Sequence, residues 1–316
     1  MKRLLYLLAL LVALDPLALQ AKERVEVLVP GPAGGGPDLI ARLMVATLNG
    51  EGYQAIVKNV PGAAGELGVR SLLRGSPNTL TLMLTQSPVV VINPHVTDRP
   101  EKKLWQHAHP MMQVGKSLSN TLLVSDPRYT TVSELISKKK SEGSVLKYGS
   151  NGIGSFPHLL LEAVFAQHEP LERLHVPYRG ATEALQGLLA GDIDIAVSGT
   201  AAQPLVANGR LYPLALVGDR LSPLHPNVPL LSRDYKGLTV VPRFVLFANV
   251  KTTPEQLQNI RHVIMRDFNT PAMRERLATA GIESDFIVDA QLLTQLEREY
   301  EFFRVTANRL KINHVE

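Results

Sequence analysis

Three glycine-rich turns carry the chemistry that this sequence suggests. Each follows a short apolar run and precedes an amphipathic one, and they cover residues 32–36, 61–65 and 149–155. Because glycine has no side chain, a ligand can approach the backbone of such a turn closely. The first N–H groups of the helix that follows have no intrahelical partner and offer donors to an anion. The turns therefore suggest a site for a small anion, although glycines that only form tight turns would give the same pattern.

Signatures of common enzyme classes are missing from the sequence. Residues 31–38 read GPAGGGPD, with neither the lysine and hydroxyl residue of a P-loop nor G-x-G-x-x-G spacing. There is no G-x-S-x-G elbow and no H-E-x-x-H motif. The absence of cysteine excludes disulfides, thiolate zinc sites, cysteine nucleophiles, iron–sulfur clusters and a lipoprotein anchor. These observations predict no catalytic centre, no metal site and no cofactor.

Four histidines could in principle bind a ligand. His107 and His109 have H-x-H spacing, but without a nearby third ligand they are interpreted as part of a polar loop. His158 and His175 each lie beside a predicted turn. Either could contact a ligand, but capping or core packing is the more common role for such residues.

Length and charge restrict the function classes further. At roughly 100–200 residues per domain, 316 residues suggest two domains. Lys and Arg number 33 against 29 Asp and Glu, and a net charge of +4 is too small to indicate nucleic-acid binding. The basic run at residues 138–140 fits a helix C-terminus, where the dipole favours cations, and lacks interleaved aromatic residues.

The first 21 residues resemble a secretory signal peptide. Lys2 and Arg3 precede an apolar run at residues 4–14, and Ala21 is a small residue suited to cleavage. The alternative is an uncleaved membrane anchor, but the run is shorter than the roughly 20 apolar residues needed to span a bilayer. We therefore expect a soluble, exported protein that begins after residue 21.

Short apolar runs alternate with amphipathic runs, which indicates an α/β fold. Pro37 and Asp38 suit the first turn of a helix, and residues 131–134 (TVSE) have a capping-box pattern. The predicted strands cover residues 25–29, 55–57, 80–84, 122–124, 145–148, 193–197, 214–217 and 244–248. The predicted helices include residues 181–189, 254–268, 271–280 and 290–309, and further helices follow the glycine-rich turns.

Six motifs in register resemble those of a known family. Residues 29–38 (VPGPAGGGPD) resemble the VPFPAGGxxDxxAR opening of the solute receptors of tripartite tricarboxylate transporters, the Bug or TctC-type periplasmic binding proteins. Further matches are NVPGAAG at 59–65, NPH at 93–95, YGSNG at 148–152 leading to His158, HVPYRG at 175–180 and GDID at 191–194. The order and spacing hold from about residue 25 to residue 281.

The resemblance implies a bilobed type II periplasmic binding protein fold, with two α/β lobes around a central ligand cleft. The first lobe would comprise residues 22–120 and 247–316, and the second lobe residues 121–246. Two crossing strands near Leu122 and Phe247 would form the hinge, and the lobes would close on the ligand.

The same resemblance implies a non-enzymatic periplasmic receptor, a monomer without cofactor, for a small organic anion such as a di- or tricarboxylate. Its partners would be the membrane subunits of a transporter. A component that reports its ligand state to a membrane sensor kinase is an alternative that sequence leaves open. An enzyme that uses the cleft is a third alternative, against which the missing catalytic motifs argue.

Site residues follow by position from the family motifs. Expected first-lobe contacts are Ala33, Gly34, Gly35, Gly62, Ala63, Ala64, Thr85, Gln86 and Ser87. Expected second-lobe contacts are Ser150, Gly152, Gly154, Ser155, Tyr178 and Ser198. Asp38 is expected to support the N-terminus of the first helix.

Departures from the family pattern bear on the ligand. Ser198 stands in a segment where many members have an acidic residue, which disfavours an amino-acid ligand. Gln86 and Pro88 are further departures, in a turn that normally carries small hydroxyl residues. Arg243 lies where an aromatic residue is common, so it either enters the cleft to pair with a ligand carboxylate or is a solvated hinge residue. We expect the first.

Overall fold

Two β-sheets flanked by helices form the framework of the protein. The computed structural model describes residues 22–97, 102–118, 120–236, 238 and 240–309. The predicted signal peptide, residues 1–21, lies outside the described residues. Within these ranges, seven strands form a first sheet and five strands form a second sheet.

The elements follow one another in an alternating α/β order. The strands are β1 Arg24–Val29, β2 Gln54–Asn59, β3 Leu80–Gln86, β4 Ala108–Ser117, β5 Thr121–Val124, β6 Leu146–Ser150, β7 Arg173–Pro177, β8 Ile195–Ser198, β9 Tyr212–Leu216, β10 Arg243–Asn249, β11 Ile282–Glu283 and β12 Ile287–Val288. The helices are α1 Gly36–Gly50, α2 Glu66–Arg74, α3 Ser87–Val91, α4 Asn93–Val96, α5 Val132–Ser141, α6 Phe156–Phe165, α7 Ala181–Ala190, α8 Gln203–Ala207, α9 Leu231–Asp234, α10 Pro254–Phe268, α11 Pro271–Thr279 and α12 Asp289–Arg309.

Each sheet combines a parallel unit with strands that run the other way. The first sheet has the order β11-β4-β10-β3-β1-β2, with β12 also paired to β4. Strands β1, β2 and β3 are parallel, and β10 lies antiparallel between β3 and β4. The second sheet has the order β7-β6-β8-β5-β9, with β6, β7 and β8 parallel and β5 antiparallel to both neighbours.

Local sequence signals explain where several helices begin. The Thr131 hydroxyl accepts from the N–H of Glu134 and the Glu134 side chain returns to the N-cap, so the predicted capping box is confirmed. Helix α10 covers residues 254–268 as predicted, and it starts with a second capping box between Thr253 and Gln256. Helix α1 has Pro37 in its first turn.

The two faces of β10 pack against different helices. Phe244, Leu246 and Ala248 belong to a core with residues of α1 and α10. Val245 and Phe247 belong to the core that contains α12. Because side chains alternate along a strand, Arg243 shares the α12 face with Val245 and Phe247.

Two sequence-based expectations need correction. Strand β10 begins at Arg243 and pairs along its length with β3 and β4, so residues 243–246 belong to the first sheet. The return to the first lobe therefore lies before Arg243 and not at residue 247. Second, β4 was not predicted, and His109 lies in this strand instead of in a polar loop.

None of the helices in the described part of the chain combines the length and hydropathy that a membrane span requires.

Candidate ligand-binding site

Topology brings the turns of both lobes to the same region. Gln86 at the end of β3 lies opposite Phe244 at the start of β10, and Ser198 at the end of β8 lies opposite Thr121 at the start of β5. Strand β4 of the first sheet ends at Ser117 and β5 of the second sheet begins at Thr121, so the chain crosses from one sheet to the other at these ends. The carboxyl ends of the parallel strands of both lobes therefore face the crossing segment, where α/β proteins place their ligand sites.

Turn A (residues 31–35) follows β1 and is held by a buried carboxylate. Asp38 is only 3% exposed. Its Oδ2 accepts from the Gly34 N–H at 2.9 Å and from Arg42 Nε at 2.8 Å, and its Oδ1 accepts from Asn59 Nδ2 at 3.0 Å. Burial alone would raise the pKa of Asp38, but the hydrogen bonds from Arg42, Gly34 and Asn59 outweigh it and lower the pKa.

Asp38 therefore ties turn A to the end of β2, as well as lying in the first turn of α1. The Gly34 N–H is already used by Asp38, so the expectation that it donates to a ligand does not fit this geometry. Ala33 is exposed and Gly35 is half-buried, which leaves the rest of the turn accessible.

Turn B (residues 60–65) follows β2 and has a strained backbone. Ala63 and Ala64 have φ of 47° and 53°, in the left-handed region that non-glycine residues rarely adopt. Each such residue costs on the order of 1–3 kcal/mol and persists where the surroundings impose it. Asn93 Nδ2 donates to the Ala64 carbonyl at 2.5 Å and helps to impose this conformation. Gly62, Ala63 and Ala64 are exposed, which suits a ligand contact.

The hydroxyls of turn C (residues 85–87) form hydrogen bonds with other groups of the protein. Thr85 and Ser87 are buried. The Thr85 hydroxyl donates to the Gln86 carbonyl at 3.3 Å, and Ser87 Oγ accepts from the Arg243 N–H at 3.3 Å. These bonds hold the end of β3 beside β10, while Gln86 is partly exposed.

Turn D (residues 150–155) follows β6 and rests on two histidines. The Ser150 hydroxyl donates to the Gly152 carbonyl at 2.8 Å, so it accepts from His175 Nε2, which lies 2.7 Å away. The Gly154 N–H donates to His158 Nδ1 at 2.9 Å. The Ser150 hydroxyl and the Gly154 N–H are thus committed within the second lobe, contrary to the expectation that they contact ligand.

The hydroxyls of Ser155 and Ser198 differ from that of Ser150 because they have no hydrogen bond within the described residues. Both Oγ atoms are buried, and neither has a hydrogen-bond partner among the described residues. Ser198, only 4% exposed as a residue, ends β8, and β8 is the neighbour of β6, which leads into turn D. Because a buried hydroxyl without a partner costs about 1–3 kcal/mol, these two atoms are the strongest candidates in turn D and β8 for contact with a ligand.

Tyr178 does not direct its hydroxyl at the turns. A Cβ added at Gly187 of α7 would lie 2.1 Å from the Tyr178 hydroxyl, and one at Gly149 would lie 3.3 Å from its ring. Burial and the nearby Asp192 raise the pKa of Tyr178. The ring therefore packs between β6 and α7, and the expectation of a side-chain contact with ligand is not supported.

Arg243 forms a structural ion pair. Its Nε donates to Glu299 Oε1 at 2.7 Å, and its Nη1 donates to Gln113 Oε1 at 3.3 Å and lies 3.7 Å from Asp285 Oδ2. The Arg243 side chain is 12% exposed and that of Glu299 is 6% exposed. Glu299 lies on α12, which packs on the first sheet, so the described partners of the guanidinium belong to the first lobe, and a contact of Arg243 with ligand remains a prediction.

Contacts between the lobes lie close to these turns. A Cβ at Gly154 would come within 2.4 Å of Val96 Cγ2, so the glycine allows turn D to approach α4 of the first lobe. The Thr200 hydroxyl donates to the Ala280 carbonyl at 3.1 Å. Near the hinge, Lys116 Nζ lies 2.8 Å from Asp219 Oδ2.

Three cavities of about 610 Å³ lie away from the cleft-facing side of the turns. One is at the opposite end of the first sheet, beside Asn249 and Lys251. The other two are on the second lobe, one beside Arg173 and His175 and the other beside Lys140 and Glu169. In the described part of the chain no cluster of three or more potential metal-binding side chains occurs.

Comparison with known proteins identifies the family. A family model described as "Tripartite tricarboxylate transporter family receptor" matches residues 40–302. The chain belongs to this family. A curated relative from Cupriavidus necator, "UPF0065 protein in gbd 5'region", is 28% identical over 272 residues, covering 84% of this chain and 81% of the relative. "Protein BugT" of Bordetella pertussis is 26% identical over 264 residues, covering 81% of this chain and 80% of BugT.

Solved structures show the same fold. A protein from R. palustris solved with adipate has a TM-score of 0.84 at 22% identity, covering 93% of this chain and 99% of that chain. MatC from Rhodopseudomonas palustris, solved with bound malate, has a TM-score of 0.75 at 21% identity, covering 90% of this chain and 98% of MatC. Periplasmic binding protein BugD has a TM-score of 0.79 at 20% identity, covering 93% of this chain and 99% of BugD.

The family resemblance and the bilobed periplasmic binding fold are therefore confirmed. The family and its structural neighbours are solute-binding proteins and not enzymes. The signals that sequence reasoning underused are polar side chains beside the turns: Asn59, Asn93, His158 and His175 lie within the family motifs and hold the turns in place.

Proposed function

We propose that the chain is a periplasmic receptor that binds a small organic anion, a di- or tricarboxylate or related carboxylate, between its two lobes. It delivers this ligand to the membrane subunits of a tripartite tricarboxylate-type transporter. Turns A, B and C would form one wall of the site, and turn D with Ser198 would form the other.

The observation that carries the proposal is the pair of unpartnered hydroxyls at Ser155 and Ser198, placed where strand ends of the second lobe face the crossing. The structural relatives solved with adipate and with malate support a carboxylate ligand. Asp38 and Arg243 are engaged within the protein, so recognition would rest on backbone N–H groups and hydroxyls. Charge-assisted hydrogen bonds of about 1.5–3 kcal/mol each make a few such contacts sufficient, since micromolar binding corresponds to about −8 kcal/mol.

Binding can be tested on the protein without its first 21 residues. We expect a di- or tricarboxylate from a panel of mono-, di- and tricarboxylates to stabilise it, by about 2.7 kcal/mol at a concentration 100 times Kd. Isothermal titration calorimetry then compares wild type with S198A and with the control S141A, whose hydroxyl bonds to Lys138 away from the turns. S198A should weaken binding about tenfold, as for loss of one such contact, and S141A should not. A panel in which no carboxylate stabilises the protein would overturn the proposal.

Delivery needs a separate experiment. Vesicles that contain the cognate membrane subunits should take up radiolabelled ligand only when the ligand-loaded receptor is added. Uptake that does not depend on the receptor would contradict the transport role while leaving the binding result intact.

A further inference from the structure

Turn D is supported by a stack of aromatic rings. The rings of His158 on α6 and His175 on β7 are parallel, with centroids 3.8 Å apart and an interplanar angle of 5°. The ring of Tyr148 on β6 lies 5.0 Å from that of His175, at 23°. His158 is 7% exposed. The stack therefore fills the space beneath the turn from three different elements.

Each histidine holds one part of turn D. His158 accepts from the Gly154 N–H, and His175 donates to Ser150, whose hydroxyl donates to the Gly152 carbonyl. Gly152 and Gly154 have φ of 112° and 74°, a conformation that glycine adopts readily, so hydrogen bonds from outside the turn can select it among the shapes open to these residues. The same Gly154 lies against Val96 of the first lobe, so a shift of this turn changes how the lobes meet.

The charges around the stack come from the second lobe. Glu162 lies one helical turn after His158, accepts from the Tyr148 hydroxyl at 2.5 Å and pairs with Arg173 Nη2 at 2.9 Å. Arg173 lies on β7, the strand of His175, and donates to Glu162 through Nε and Nη2. The first lobe places the apolar Val96 against Gly154 of turn D. The Glu162 carboxylate is thus already neutralised by Arg173 and provides little compensation for a second cation in the stack.

We propose that the neutral His158–His175 pair positions turn D for ligand binding, and that protonation of His158 on Nδ1 releases the turn and lowers affinity. The proposal rests on the proposed function, because turn D would form part of the ligand site. A solvent proton that binds Nδ1 uses the lone pair that accepts from the Gly154 N–H, so two donors then face each other. It also places a positive charge 3.8 Å from the His175 ring.

The environment of the two histidines determines how the affinity for ligand should change with pH. Burial lowers the pKa of His158, and burial together with the neighbouring His158 lowers the pKa of His175 to about 4. Because the pKa of His158 is lowered, the residue stays neutral and the turn stays supported at pH 6.5 and above, and the support is lost as pH falls through this lowered pKa. The loss of affinity is therefore expected only on the acid side of pH 6.5.

A variant that accepts the same hydrogen bond without titrating provides the test. In H158N the Asn Oδ1 occupies the position of Nδ1, so it can accept from Gly154 at every pH. H168N is the matched control, because His168 is a partly buried histidine of the second lobe that bonds to Tyr235. Kd for the carboxylate identified in the panel would be measured by calorimetry from pH 7.5 to 4.5 for wild type and both variants.

At pH 7.5 wild type and H168N should agree within about twofold, and the affinity of each protein at pH 7.5 serves as its own reference. As pH falls, wild type and H168N should lose affinity relative to H158N. The ratio of their Kd to the Kd of H158N should rise with a slope that approaches about tenfold per pH unit, as linkage to one proton requires. Protonation of the ligand affects all three proteins equally and cancels in the ratio. An H158N affinity that falls in parallel with wild type would overturn the proposal.

A second measurement does not need a ligand. In wild type at pH 7.5, ¹⁵N shifts of the imidazole should show His158 unprotonated on Nδ1, and the Gly154 amide resonance should shift with the titration of His158. A protonated Nδ1 at pH 7.5, or a Gly154 resonance that ignores this titration, would overturn the proposal. If no carboxylate binds at pH 7.5, the proposed function fails, and the NMR result still decides whether His158 holds the turn.

Discussion

Replacing Arg243 tests whether this residue stabilises the fold or binds ligand. Its Nε lies 2.7 Å from Glu299 Oε1, with side-chain exposures of 12% and 6%. Removing one partner of a buried ion pair costs about 3–5 kcal/mol, because the other charge stays buried. Gln295 still donates to Glu299 at 2.6 Å, so we expect R243M to lose about 3 kcal/mol of unfolding free energy, at the lower end of this range.

The double variant R243M/E299L removes both charges and should recover to within about 1 kcal/mol of wild type, since a buried pair replaced by apolar groups is often neutral. Urea unfolding of wild type, both single variants and the double variant gives the coupling energy, expected to be at least about 2 kcal/mol. Ligand affinity of folded R243M should change less than about threefold, since the guanidinium binds α12. An R243M protein of unchanged stability whose affinity for ligand falls tenfold or more would refute this reasoning and show that Arg243 contacts the ligand.

Three further substitutions test other contacts. D38N should lose about 2–3 kcal/mol of stability, because a charged acceptor of the Asn59 amide is replaced; urea unfolding measures this loss. N249A should lose about 1–2 kcal/mol, because the buried Asn249 amide donates to carbonyls at the end of α2; faster hydrogen exchange in that helix would accompany the loss. Burial raises the pKa of Glu162, but hydrogen bonds from Arg173 and Tyr148 outweigh it and lower the pKa below 4.5. The unfolding free energy that this carboxylate contributes is therefore present above pH 4.5 and lost as pH falls through the folded-state pKa. Urea unfolding at a series of acid pH values should show that E162Q loses less stability than wild type as pH falls.

Exposed pairs provide the controls for these variants. Asp126 pairs with Arg128 at the surface, and D126N should change stability by no more than about 1 kcal/mol. A D38N protein as stable as D126N would contradict the role of Asp38 in turn A. Unchanged hydrogen exchange in N249A would likewise show that α2 does not need its side-chain cap.

Local signals in the sequence were sufficient for many elements. The capping box at Thr131 and the Thr-Pro start of α10 depend only on neighbouring residues, so the pattern predicts the helix start directly. The glycine-rich turns were also recognisable, because Gly34, Gly62 and Gly152 have positive φ, which favours glycine whatever the rest of the fold does.

Features that depend on distant residues could not be predicted in this way. Strand β4 contains Pro110, which argues against an interior strand, yet β10 accommodates it beside Phe247, where the register shifts between Leu246 and Phe247. Arg243 shares a face with Val245, but only the folded chain shows that this face meets Glu299, 56 residues further on. The commitments of the Gly34 and Gly154 N–H groups likewise depend on tertiary hydrogen bonds.

The position of β10 has a consequence for the order in which the lobes fold. Strands β5 to β9 of the second sheet all lie between residues 121 and 216, whereas the first sheet needs β10 between β3 and β4. A growing chain lacks this inner strand until residue 249 has been made, so the second lobe can be complete while the first still has a gap. A fragment that ends at residue 242 should therefore retain protease protection in residues 121–216 and lose it in residues 22–117.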